Sequence, residues 1–425
     1  MKSVLVLCGV VAWGLFGSGS MSAQDAQIAP PVCVAEDNNS HVLTCDHQVP
    51  HISTVPANMG ELVPLFVRER VASNRGPGKA VLMIHGLSVP VLPGFELRKD
   101  HYDWALWLAQ AGGLDVFMLD FQGSGRSPRP KMDDPCNVPT AQQAILIPNP
   151  LSAACNPSYK FQLINSRSDW DELDTVVDYV RAIRAKRGVE GDDKVALVSW
   201  SQGSARVGPY AVQHPDKVDS LFLYAPIFNP AAPSGTGDGF GPPAALPRPG
   251  TPMSLRTRGD LMGLWDPEVE AEMIQGGCDA PVEDGIQDVV WSAIMDNDSL
   301  GRTWGPPSAG SSAGSVPEGV MRVRTPFLWG WNASTAHKIS VPVLIIAGEH
   351  DTGGGGIQDL PRLYAEVPHD QKLWFKVQCA GHFMVWEKQR SVLHHISKQW
   401  LTHGAVEGLT NGSFFVDTEG VIHPQ

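Results

Sequence analysis

Short, continuously apolar runs alternate along this chain with longer segments whose apolar positions recur at helical spacing. The runs cover 79–86 (KAVLMIHG), 115–120 (DVFMLD), 195–200 (VALVSW), 218–225 (VDSLFLYA), 341–348 (VPVLIIAG) and 372–379 (KLWFKVQC). Their lack of in/out alternation predicts strands buried on both faces, as in a parallel sheet. Between them, 103–111, 169–187, 203–214, 357–367 and 387–402 read as helices. In the second of these Trp170, Leu173, Val177, Tyr179, Val180 and Ile183 mark one apolar face, with charged residues opposite. Strand–helix alternation with right-handed crossovers predicts an α/β fold, a mostly parallel sheet covered by helices on both faces. Upstream, 41–45 and 61–71 are expected as antiparallel edge strands.

Two stretches break the rhythm. Residues 128–165 are rich in proline and contain Cys136 and Cys155, and read as a disulfide-clipped excursion. Residues 228–339 begin with a Pro/Gly tract, pass through a helix-compatible middle and include a second flexible stretch, GPPSAGSSAGSVPEG. Such tracts cannot form a packed sheet, so this segment is expected as an insertion standing outside the core. Its Trp265, Trp291, Trp304, Trp329 and Trp331 either line a substrate cavity or fill a small core of the insertion itself.

Composition narrows the partners. The 425 residues carry 32 Lys and Arg against 45 Asp and Glu, a formal charge of -13, so no basic field attracts nucleic acid or anionic lipid. At the amino terminus Lys2 is followed by an apolar run from Val4 to Phe16 and then small residues from Gly17 to Ala23. This predicts an export signal over 1–23, cleaved near Ala23 or Ala26, since the run is too short to span a bilayer and leaves no stable membrane anchor. The mature chain is then expected in the periplasm or outside the cell. It retains Cys33, Cys45, Cys136, Cys155, Cys278 and Cys379, an even number with no C-x-x-C spacing, which favours structural disulfides over metal or redox sites. Short separations favour Cys33–Cys45 and Cys136–Cys155, leaving Cys278 with Cys379. Sequons begin at Asn38, Asn297, Asn332 and Asn411.

The decisive segment is VALVSWSQGSARVGPYAV, where a buried strand runs directly into an amphipathic helix with Ser199-Trp200-Ser201-Gln202-Gly203 at the junction. A serine presented on so tight a reversal needs small residues two before and two after it, and Ser199 and Gly203 supply them. With His85-Gly86, Asp120-Phe121-Gln122-Gly123-Ser124-Gly125-Arg126-Ser127, Gly348-Glu349-His350-Asp351 and Gly381-His382-Phe383, this segment resembles the cap-bearing serine hydrolases of the α/β-hydrolase superfamily, the branch with esterases and proline-iminopeptidase-like enzymes. The likeness spans roughly 78–404. It departs from the usual pattern at Ser199, where glycine is commoner. The resemblance implies a first core part over 24–227, a cap over 228–339, a second core part over 340–404 and a C-terminal tail over 405–425.

A serine hydroxyl needs a base near neutral pKa, and the base needs an orienting carboxylate. His382, in a loop after a strand and beside Gly381, fits the base. Asp351 fits the acid, with Glu349 and His350 as adjacent rivals; the strand ending near Ala225 is followed by no carboxylate. Ser201, Asp351, His382 is the chain order of the family. The resemblance further implies an oxyanion hole of the Leu87 and Gln202 backbone N–H groups, with His85 supporting that loop and Gly123–Ser127 a structural turn. No cofactor or metal is implied. The expected activity is hydrolysis of carboxylic esters of moderately sized, mainly apolar substrates through an acyl-enzyme. Amide cleavage or acyl transfer by the same triad, and a non-catalytic binding protein on the same fold, are the alternatives. A free-amine substrate requires a buried carboxylate in the cap, for which Glu268, Glu270 and Asp279 are candidates.

Overall fold

The computed structural model describes residues 31–36, 41–87, 89–189, 193–308 and 316–425. The export signal expected over 1–23 and the sequon at Asn38 lie outside the described residues. In chain order the fold lays down β1 (Val32–Ala35), β2 (Val42–Ile52), β3 (Leu62–Ala72), β4 (Ala80–Ile84), α1 (Val91–Phe95), α2 (Trp104–Ala111) and β5 (Asp115–Leu119). There follow β6 (Ile164–Asn165), α3 (Ser166–Lys186), β7 (Val195–Trp200), α4 (Ser204–Gln213) and β8 (Val218–Tyr224). The insertion contributes β9 (Met253–Arg256), α5 (Arg258–Ile274), α6 (Ile286–Asp296), β10 (Met321–Arg324), β11 (Pro326–Phe327) and α7 (Ala333–Ala336). The chain closes with β12 (Val343–Gly348), α8 (Leu360–Glu366), β13 (Lys372–Val377), α9 (Arg390–His403), β14 (Asn411–Val416) and β15 (Ile422–Pro424).

One 11-stranded sheet runs β1-β2-β3-β5-β4-β7-β8-β12-β13-β14-β15. Its strands are parallel from β5 to β14, with antiparallel additions β1–β3 at one edge and β15 at the other. The unbroken apolar runs are explained by burial on both faces: Val81, Met83, Val116 and Met118 enter one core, while Ala80, Leu82, Ile84, Phe117 and Leu119 enter the other. α3 begins at Ser166, three residues earlier than its apolar periodicity suggests, because Asn165 and Ser168 form a reciprocal cap. All three disulfides join the expected partners, Cys33–Cys45, Cys136–Cys155 and Cys278–Cys379.

Three expectations need correction. The 405–425 stretch is not a tail: β14 pairs in parallel with β13, and β15 turns back on it. The insertion does not stand outside the core, since Leu261, Met262 and Trp265 of α5 and Val290, Trp291 and Ile294 of α6 join the apolar cluster on one face of the sheet. Its tryptophans do not line the cavity beside Ser201 and make no private core. Trp265 and Trp291 join that same cluster, Trp329 and Trp331 pack on the opposite face, and Trp304 packs with residues of the 128–165 excursion. No helix among the described residues is long and apolar enough to cross a membrane.

Candidate active site

Four loops at the carboxyl ends of neighbouring parallel strands bring together the residues singled out above. Ser201 follows β7, Leu87 follows β4, Asp351 follows β12 and His382 follows β13. This edge is where open α/β sheets hold ligands, because helix amino termini and loop backbone converge there.

Ser201 has φ +57°, a conformation that costs a non-glycine residue energy and lifts its side chain off the sheet. Its neighbours permit this because they lack bulk. A Cβ on Gly203 would stand 2.9 Å from the Ile84 carbonyl, and one on Gly86 would stand 3.1 Å from Ser201 Cβ. The Ser201 hydroxyl lies 2.9 Å from His382 Nε2, and His382 Nδ1 lies 2.9 Å from Asp351 Oδ1. Asp351 Oδ1 also accepts the Gly353 N–H at 2.8 Å. Its rivals are placed elsewhere: Glu349 accepts the Cys379 N–H at 3.0 Å, and His350 lies 3.4 Å from Glu349. Burial works against the imidazolium of His382, but the charge and hydrogen bond of Asp351, supported by Glu268, outweigh it. The His382 pKa therefore lies above its ordinary value.

Leu87 and Gln202 both form the wall of the cavity onto which Ser201 opens. The Leu87 loop is anchored from beneath. Arg206 on α4 donates to the His85 carbonyl at 2.8 Å and pairs with Asp169 at 2.7 Å, all within the interior. His85 Nδ1 lies 2.6 Å from the Gly86 carbonyl, and the Phe121 N–H reaches His85 Nε2 at 3.4 Å. Burial, with Arg206 and Arg324 nearby, holds the His85 pKa well below its usual value, so this histidine is a neutral strut. The Gly123–Ser127 turn sits behind the site: the buried Asp120 carboxylate accepts the Val91 and Arg126 N–H groups, while the Arg126 side chain turns outward to Asn297 and Asp46.

Sequence reasoning missed the way the insertion holds His382. Glu268 of α5, buried, accepts the Thr352 N–H at 2.7 Å, the Thr352 hydroxyl at 2.6 Å and the His382 N–H at 2.7 Å, so one carboxylate ties the acid loop to the histidine loop. At the carbonyl of the same residue, the Trp200 indole and the Tyr224 hydroxyl donate to His382 at 3.0 and 2.8 Å. Glu387 accepts from Trp265 of α5 and from the Gly381 N–H, both at 2.9 Å. Behind them Glu272 is fully buried with neither carboxylate oxygen bonded, and burial together with Glu268 and Glu349 pushes its pKa up to about 8. Glu387 is driven well above the carboxylate range by burial and by Glu272. The Cys278–Cys379 disulfide joins the end of this cap element to the loop three residues before His382. A periodicity reading places Glu268 on α5 but gives no sign of which loop it meets.

The cavity measures about 290 Å³. Leu87, Val89, Trp200, Ile227, Leu261, Leu264 and Phe383 make it mainly apolar, and Arg256, Gln202, Glu268 and Thr352 add polar groups. Among the described residues no cluster of His, Cys, Asp or Glu has the arrangement of a metal site.

A model of the alpha/beta hydrolase family matches residues 81–393. Solved structures similar to this chain include a thermophilic esterase from Thermogutta terrifontis (13% identity, TM-score 0.45, 84% of this chain and 98% of that one). Others are a serine hydrolase of carbazole degradation (14%, 0.44, 84% and 99%) and a serine hydrolase from Cycloclasticus zankles (14%, 0.43, 84% and 97%). No curated protein matches the chain significantly.

Proposed function

The chain belongs to the alpha/beta hydrolase family, and on that premise we propose that it is an exported serine hydrolase that cleaves carboxylic esters through an acyl-enzyme on Ser201. The observation that carries this reading is the continuous hydrogen-bond chain from Ser201 Oγ through both ring nitrogens of His382 to Asp351, each link 2.9 Å.

In the first half of the reaction Ser201 Oγ attacks the ester carbonyl as His382 Nε2 takes its proton. The carbonyl oxygen becomes an oxyanion facing the Leu87 and Gln202 N–H groups. The carbon–oxygen bond to the alcohol then breaks, with the proton passing from His382 to the leaving alkoxide. Water, deprotonated by the same imidazole, releases the acid and restores the serine. Asp351 holds the tautomer that presents a free Nε2 to the serine, and its charge favours the imidazolium formed in both steps.

Burial of the site and its apolar lining favour a small, mainly apolar acyl or alcohol group, and a volume near 290 Å³ is at the low end for ligand cavities. The free-amine alternative finds no unspent carboxylate among the residues that line the cavity, since Glu272, though unbonded, is not one of them. Glu270 and Asp279 are exposed, and Glu268 already spends both oxygens on Thr352 and His382. Three disulfides are compatible with an oxidising compartment and support the export reading.

The test is turnover of aryl esters and of matched aminoacyl anilides by the intact enzyme and by Ser201→Ala, with an aryl phosphonate as covalent probe. Ester turnover that falls by ~10⁴-fold or more in the variant, with phosphonate attached at Ser201, is the expected result. Near-normal turnover by Ser201→Ala refutes the assignment, and preference for the anilides would move it to the amidases.

A further inference from the structure

Arg256 is the last residue of β9 and immediately precedes Thr257, the residue that caps α5. Its side chain lines the same cavity as Ser201 and His382, beside Leu261, Leu264 and Glu268 of the helix it leads into. Every other arginine of this chain is hydrogen-bonded, ion-paired or laid over an aromatic ring. Arg256 alone has no such partner among the described residues, although it is half-buried. The acidic group nearest in function, Glu268, does not serve it, since its oxygens are taken by Thr352 and His382.

We infer that Arg256 recognises a carboxylate on the substrate, so that the ester hydrolysed here is an anionic one. This rests on the serine-hydrolase reading above. A cationic fork held at the wall of an otherwise apolar cavity is partly stripped of water, and a carboxylate is the group that restores its hydrogen bonds two at a time. The Gln202 side-chain oxygen is buried without a partner at the same cavity wall, but it is an acceptor and can meet only a donor on the substrate. The remaining polar lining groups, Ser201, His382, Glu268 and Thr352, are bonded to one another or to nearby backbone. Unspent polar capacity in the cavity is thus concentrated on Arg256 and Gln202, and of the two only the guanidinium carries charge. The rest of the ester occupies the apolar wall, which gives an amphipathic substrate with one carboxylate set apart from the scissile bond.

The experiment compares two pairs of esters. In the first, 4-nitrophenyl hexanoate and the 4-nitrophenyl monoester of adipic acid place the charge on the acyl half at equal chain length. In the second, methyl 4-acetoxybenzoate and 4-acetoxybenzoate place it on the alcohol half. The readout is the anionic-to-neutral ratio of kcat/KM, in the intact enzyme and in Arg256→Gln and Arg256→Lys. The ratio is expected to fall on the order of tenfold or more in Arg256→Gln for one pair, to fall less in Arg256→Lys, and to shrink in the intact enzyme at high salt. The pair that responds identifies the half of the substrate that carries the charge. A ratio unchanged in both pairs overturns the inference, even if all rates drop together, since a common drop reports damage to the fold. Turnover of the neutral esters that is lost in Ser201→Ala keeps the serine-hydrolase reading standing in that case, whereas no turnover of any of the four esters overturns both.

Discussion

Glu268→Gln asks whether the cap holds His382, the proposed base, in place. The carboxylate receives three donors, the Thr352 N–H and hydroxyl and the His382 N–H, all at 2.6 to 2.7 Å. Glutamine keeps the length but replaces one oxygen with an NH₂ group. Whichever way the amide turns, a donor confronts a donor, and either the His382 N–H or the Thr352 N–H is left without an acceptor. That vacancy costs ~1–3 kcal/mol, and the bonds that survive lose the strength a charged acceptor gave them, roughly another 1 kcal/mol. The penalty falls on the loop of His382 or on that of Asp351, and both must hold for the His382 ring to stay 2.9 Å from Ser201 Oγ and from Asp351. A misplacement on the order of 1 Å costs ~10²-fold in rate, so kcat is expected to fall by roughly 10- to 100-fold, with a much smaller change in KM. A second readout separates positioning from mere loosening. The Glu268 charge helps Asp351 lift the His382 pKa against burial, and the base works only when neutral. Removing the charge therefore moves the acid limb of the kcat/KM–pH profile to lower pH. Glu268→Ala removes the charge without opposing donors and is expected to share the displaced limb. An acid limb that stays put in both variants, with kcat within about twofold of the intact enzyme, refutes the reasoning whatever happens to Tm.

Other substitutions reach the same region from different sides. Glu272 keeps a proton in the folded state up to about pH 8, whereas a free glutamate releases it near 4.5. Between those values the unfolded chain binds fewer protons than the folded one, so stability falls as pH rises across the window. Glu272→Gln is expected to raise Tm at pH 8 and above, by an amount equivalent to at most a few kcal/mol, and to change little at pH 4; an equal Tm difference at both pH values contradicts this. The Cys278–Cys379 bridge spans a separation of 101 residues. Loops of ~100 residues are worth up to ~5 kcal/mol in chain entropy, so replacing both cysteines with serine is expected to lower Tm by several degrees and kcat with it. The same change at Cys33–Cys45, which joins β1 to β2 at the far sheet edge, is expected to spare kcat. Equal effects of the two on kcat argue against any role for the first bridge at the histidine loop.

The core strands were legible because burial on both faces leaves an unmistakable residue pattern: VALVSW and VPVLIIAG hold no polar position facing water. The elbow was legible for a related reason, since Ser199 and Gly203 are small only because backbone and side chains crowd them. β14 escaped notice because a strand next to the sheet edge, with only the three-residue β15 beyond it, needs less apolar surface, and NGSFFV has only Phe414 and Val416 fully turned inward. The insertion was misread as external for a different reason. Its Pro/Gly tracts are indeed irregular, but Leu261, Met262 and Trp265 lie between them on a helix whose weak periodicity hides a buried face, and Pro267 interrupts it further. The pairing of Glu268 with the His382 N–H joins positions 114 residues apart through a backbone donor. A backbone donor carries no residue identity, so no sequence pattern records it.

The links between cap and histidine loop set what kind of cap this is. Glu268 bonds to His382, Trp265 bonds to Glu387, and Cys278 is covalently joined to Cys379, all from α5 or the turn that follows it. Swinging α5 away would strand the buried carboxylates of Glu268 and Glu387 and strain a covalent bond, at a cost well beyond the few kcal/mol separating the open and closed states of a working lid. The helix is therefore a fixed wall of the site. Access does not need it to move, because Leu264 lines the cavity while keeping 46% of its surface exposed, so the cavity meets solvent beside that residue. A wall of this kind couples the shape of the pocket to the position of the base. A substitution in α5 that alters what fits is then expected to alter how fast the serine is activated, and the two effects separate only in a measurement that resolves selectivity from turnover.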